Sequence, residues 1–132
     1  MTKQSDLSPK WRERFAFFEQ YGPLKTPAAL VAFKALPYRK KVLINMNYWA
    51  LFFGIIYLPM LGLWRRWLML MAATAAIIAI EVIMMIMLNF AIGWIFLLLF
   101  FVFVASSTNY AYFLKRTTGE DSYNLFIGRR WF

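Results

Sequence analysis

One carboxylate stands apart in this chain. Between Val42 and Leu114 the charged side chains are Arg65, Arg66 and Glu81, and Glu81 lies deep in an apolar stretch. A carboxylate in hydrocarbon is expensive, so it is expected to be protonated, hydrated or paired, and such acids mark proton relays, ion paths or helix contacts. No Lys, Arg or His occurs in its own segment or the next one. Its partner is then an Asn or backbone of the preceding segment, another copy, another protein, or water. Three roles stay open: a protonated Glu bonded to a carbonyl with no function, a partner contact, or a transport site. Thr74, Ala72 and Ala76 on the same segment join Glu81 as the candidate intramembrane contact.

Other chemistry is hard to find. There are no cysteines and no histidines, which removes thiol nucleophiles, disulfides, Cys/His zinc sites and imidazole acid–base catalysis. No paired carboxylate, glycine-rich phosphate loop or Ser/Lys dyad replaces them. The expectation is a protein that is not an enzyme, with no catalytic residue, no metal and no cofactor.

Composition says where such a chain lives. Of 132 residues, 62% are hydrophobic, 20% aromatic and 16% charged, against roughly 45–50% apolar and 25% charged in ordinary globular domains. Mean hydropathy is +0.55. A disordered chain would be less apolar and more charged. A soluble domain this short could not hide so much apolar surface in its own core. The class is an integral membrane protein, all-α.

Three apolar segments can be drawn: 42–64, 67–88 and 91–114, each near the roughly 20 residues that cross a bilayer core. They form a membrane domain, 42–114, between a basic head, 1–41, and a short basic tail, 115–132. The first forty residues are polar and charged, so no cleavable signal peptide is expected. Nine of fifteen cations precede Val42, Arg65-Arg66 is an isolated pair, and four cations follow Leu114. Three full crossings would divide these cations between both sides. If 42–64 instead enters and leaves by one face, and only the last two segments cross, every cation lies on the cytoplasmic side, as the positive-inside rule prefers. The first segment has the residues for a broken path: Asn47 at its start, Trp49, Phe53 and Gly54 within it, and Pro59 near its exit. The re-entrant or interfacial reading is therefore taken, with a two-helix transmembrane hairpin after it and both termini cytoplasmic; three crossings are the alternative. Counting back from a turn near residue 90 sets Ser106 level with Thr74 and Glu81 opposite Leu98 and Leu99. The pairs Ala72/Ala76 and Ala75/Ala79 are expected to pack the second segment on the third, at the spacing that brings helices close.

The head reads as short helices opened by Ser8-Pro9 and Thr26-Pro27, since Pro suits the first helical position. Trp11, Phe15 and Phe18 recur at helical spacing. They are expected to seat the head in the headgroup layer, with Trp64, Arg65 and Arg66 as further interface anchors. The alternative is that they form a small core with the other cytoplasmic helix. Arg39-Lys40-Lys41 abuts the membrane, so its partner is anionic lipid headgroups, and no nucleic acid is expected.

The patterns Lys10-Trp11-x-x-Arg14-Phe15-x-Phe17-Phe18-x-x-Tyr21-Gly22, Asn47-Tyr48-Trp49-Ala50-x-Phe52-Phe53-Gly54-x-x-Tyr57 and Gly62-x-Trp64-Arg65-Arg66 resemble the YigF-like family of small enterobacterial inner-membrane proteins. The resemblance covers most of residues 10–66. It implies a bacterial inner-membrane location and brings no activity or catalytic residue. The expected function is non-enzymatic: binding or organising a partner at the cytoplasmic face, through a protein partner or a second copy at the membrane helices. A small oligomeric transporter using Glu81, or a membrane immunity-type protein, are the alternatives.

Overall fold

The computed structural model describes residues 6–128, and among these every regular element is helical. The head holds α1 (Pro9–Tyr21), α2 (Pro27–Ala35) and α3 (Tyr38–Asn45). Pro9 and Pro27 each occupy the first turn, and Thr26 caps α2 by accepting from the Ala29 N–H at 3.3 Å. The apolar half holds α4 (Tyr48–Met60), α5 (Trp64–Leu88) and α6 (Gly93–Thr118). Three stretches, 38–60, 64–88 and 93–118, are long and apolar enough to cross a membrane. Lys3, Arg129 and Arg130, counted above in the basic ends, lie outside the described residues.

The first of those stretches is not one continuous helix. Met46 and Asn47 are extended, so the chain breaks between α3 and α4. Asn47 then restarts it, its Oδ1 accepting from the Ala50 N–H at 3.1 Å. A second irregularity follows at Phe53 (φ −127°, ψ 23°), where α4 bends. Pro59 sits in the last turn of α4, where the chain is about to leave the helix. Gly62, at φ +77°, makes the corner into α5.

Phe15 and Phe18 are core residues. Phe15 is 0% exposed, and its ring lies 5.3 Å from Phe113 and 5.8 Å from Tyr112. Phe18 meets Tyr110 at 5.2 Å. This corrects their expected place in the headgroup layer. Their platform is the C-terminal half of α6, where Tyr110, Tyr112 and Phe113 give α1 an apolar surface to pack on. Trp11 stays half-buried, its ring meeting that of Tyr112 edge-on at 4.6 Å.

The α5–α6 register also differs from the count. Arg66 reaches Val104 and Ser107, and Leu70 shares a core with Val104. At the other end the Glu81 carboxyl group lies against Gly93, not opposite Leu98 and Leu99. Ser106 is accordingly not level with Thr74. The reason is the linker: α5 runs on to Leu88 and ends at Asn89 (φ 50°), and residues 89–92 return to start α6 beside Glu81. The alanine pairs are corrected too. Ala72, Ala75, Ala76 and Ala79 are exposed, and Ala73 is the alanine packed in the α5–α6 core.

A Cβ on Gly93 would collide with the Glu81 side chain. Gly93→Ala is therefore expected to cost about 1 kcal/mol in the parent protein and nothing in a Glu81→Ala background. Thermal melts of the two single variants and the double variant in detergent check this. Equal costs in both backgrounds would remove the contact.

Candidate functional site

Helix ends leave carbonyls without partners, and the α3–α4 break leaves them at the entrance to the chain's apolar half. Two side chains from distant elements gather them. Asn109 of α6, 0% exposed, donates through Nδ2 to Ile44 O at 3.0 Å and to Leu43 O and Met46 O at 3.3 Å each. Its Oδ1 accepts from Asn47 Nδ2 at 3.1 Å. Arg14 of α1 donates through Nε to Leu43 O at 2.7 Å and through Nη2 to Met46 O at 3.4 Å. The break is thus a built junction of α1, α3, α4 and α6.

Arg14 also forms the floor of a cleft of about 790 Å³ between α1, α3 and the start of α4. Lys10, Arg39 and Lys40 line it with Arg14, against one acid, Glu13. Trp11, Tyr48, Trp49 and Tyr57 supply aromatic walls, and the Arg14 guanidinium lies 4.5 Å from the centre of the Trp11 ring. Burial lowers the Arg14 pKa to about 10, a shift that Tyr57 opposes, so Arg14 is cationic at neutral pH. The first turns of α1 and α3 border the cleft, and neither contains an acidic residue.

A second polar knot sits at the start of α5. Arg66, expected as an interface anchor, is 1% exposed. Its guanidinium donates to Val104 O, Asn124 O and Leu125 O and to Ser107 Oγ. Ser107 Oγ in turn donates to Leu125 O. Arg66 therefore ties residues 124–125, beyond the end of α6, across the corner that leads into α5. This corrects its place as an anchor: the two terminal nitrogens of the planar fork find three carbonyls and a hydroxyl inside, and Nε alone is left without a partner. Arg65 is exposed beside the Tyr123 ring at 5.4 Å, and its N–H donates to Asp121 at 3.1 Å. Trp64 is exposed and packs on Trp67 at 6.0 Å.

The residues singled out from sequence thus fall into separate places. Asn47, Trp49, Arg39 and Lys40 come together around the junction and its cleft; Lys41 is half-buried outside it. Phe53 is exposed further along α4, 5.6 Å from the Trp49 ring, and Gly54 is buried with Leu70 against it. Glu81, Thr74, Ala72 and Ala76 share α5 and do not meet this cluster. Glu81 lies beside the first residue of α6, the positive end of that helix's dipole, which gives it a favourable neighbour where no cation exists. Arg14, Asn109 and Ser107 had no assigned role from sequence. A run of four polar residues, Ser106-Ser107-Thr108-Asn109, inside an apolar helix was the available signal.

The family model described as "Protein of unknown function (DUF2628)" matches residues 3–117. The proteins named "Uncharacterized protein YigF" from Salmonella typhimurium and Salmonella typhi are each 35% identical to this chain over 124 residues, covering 90% of it and 92% of the relative. The protein of the same name from Escherichia coli is 45% identical over 64 residues, 46% of this chain and 51% of the relative. No solved structure matches.

Proposed function

The chain belongs to the DUF2628 family of proteins of unknown function, and we propose that it is a non-enzymatic integral protein of the bacterial inner membrane that binds a partner at the cytoplasmic face. On this reading only α5 and α6 cross the bilayer, and α4 dips in and returns. One observation supports it most: the chain enters α4 at Asn47, bonded to Asn109, and enters α5 with Arg66 bonded to Ser107. Those anchor points are two residues apart on α6, about 3 Å of helix rise, so both ends of the α4 segment meet α6 at one depth. The cleft, the Arg65-Arg66 corner and the basic residues of the head then share one side. A scaffold of that form offers a polar, cationic recess at the membrane surface and no catalytic group within it.

The absence of native cysteine makes the topology directly measurable. Single-cysteine variants Gly62→Cys and Ala91→Cys, treated in intact spheroplasts with a membrane-impermeant maleimide, are expected to differ. Position 91 labels from outside, and position 62 labels only after the membrane is opened. Labelling of position 62 from outside would mean that 42–64 crosses, and would overturn the reading.

A further inference from the structure

We infer that the cleft between α1, α3 and α4 holds one anionic phospholipid of the surrounding membrane, headgroup phosphate among Lys10, Arg39 and Lys40 and acyl chains along α4. The inference names the partner in the reading above and rests on its cytoplasmic-face cleft.

The electrostatics of the cleft are unbalanced as it stands. Arg39 and Lys40 occupy the first turn of α3, and Lys10 the first turn of α1. Cations there oppose the helix dipole, whose positive end favours negative charge. Neither turn holds an acid, and neither N-cap residue, Ser8 or Pro37, makes a side-chain capping bond. An anion would relieve both the dipoles and the mutual repulsion of the cations. Arg14 is already committed to two carbonyls, so the exposed Lys10, Arg39 and Lys40 are the side chains available to it.

What continues from the cleft decides the source of that anion. Trp49 lines it, and from Trp49 an exposed apolar stripe runs down one face of α4: Phe52, Phe53, Ile56 and Met60, at helical spacing. A groove of about 440 Å³ formed by residues 51–56 and Phe101 lies beside Phe52 and Phe53. Trp49 and Phe53, with rings 5.6 Å apart, connect the two. A cationic, aromatic recess opening onto an apolar stripe matches a molecule with a phosphate at one end and hydrocarbon at the other. A free phosphate ion would use only the recess.

The test is native mass spectrometry of the intact protein in mild detergent, stripped of lipid and given phosphatidylglycerol or phosphatidylcholine. One phosphatidylglycerol per chain is expected to remain bound, and no phosphatidylcholine. The Arg39→Gln/Lys40→Gln variant is expected to lower the affinity for phosphatidylglycerol about thirtyfold, taking each cation near a lipid surface at its usual contribution. Trp49→Ala is expected to lower it too, and Lys115→Gln to leave it unchanged, with helical content followed by circular dichroism. Equal retention of both lipids, or full retention by the double variant, would overturn the proposal. Displacement of the lipid by inorganic phosphate would assign the recess to a soluble anion and overturn its lipid source. The measurement is indifferent to which side position 62 faces. A failure here alongside the expected cysteine labelling therefore condemns the ligand and not the topology.

Discussion

Replacing Arg66 by alanine is expected to cost about 3 kcal/mol and to release the segment after α6. Four acceptors lose a donor at once. Stranding a buried polar partner costs about 1–3 kcal/mol, and the sum is moderated because Val104 O and Leu125 O keep hydroxyl donors from Thr108 and Ser107. Arg66→Lys should recover little, since one ammonium cannot span acceptors that a planar fork reaches. Two readouts check this: thermal melting in detergent, and cleavage after Glu120 by a glutamate-specific protease, which should accelerate as residues 121–128 come loose. Parent-like melting together with an uncut segment would mean that Arg66 does not hold it.

Asn109 is expected to be nearly as sensitive, with an informative order among its variants. Asn109→Leu keeps the branched shape but strips Ile44 O of its side-chain donor and Asn47 of its acceptor, a loss of about 2–3 kcal/mol. Asn109→Asp should be worse, because a carboxylate would face three carbonyl oxygens within 3.3 Å where the amide now donates. Melting temperatures of the two variants, compared in one detergent, settle the order. If the aspartate variant is the more stable, the donor role of Asn109 is wrong.

These two residues also mark where sequence reading stops. The starts of α1 and α2 and the end of α5 were legible because local signals define them, Pro at the first turn and Asn89 after an unbroken apolar run; α5 begins three residues before the segment drawn at 67–88, and α6 runs four residues beyond the one drawn at 91–114. The break at Met46–Asn47 was half legible, since Asn and aromatic residues crowd there, but its continuation as helix on both sides was not. Arg66 looked like a surface cation because its acceptors lie 38–59 residues further along. Nothing local signals such a partner. Phe15 and Phe18 were read against lipid for the same reason: their platform, Tyr110, Tyr112 and Phe113, sits in a helix whose apolar content looked like a membrane segment. The α5–α6 register failed through one assumption, that a short linker means level helix ends. The cleft was the least visible of all, because it needs α1, α3 and α4 in place together. Its cations were read one by one as a juxtamembrane cluster.

The Arg66 clamp has a consequence for how the chain is made. Its last acceptor, Leu125, is synthesised 59 residues after it, which at about 5–20 residues per second is a delay of roughly 3–12 s. Through that interval the guanidinium has no interior to enter and stays in water as a full charge. On the topology proposed above, it would then act with Arg65 to keep the α4–α5 corner from following α4 into the bilayer while α5 and α6 are inserted. Only when the last acceptors arrive does the same side chain withdraw inside and lock the result. On that topology one residue would serve first as a topological signal and then as a fastener.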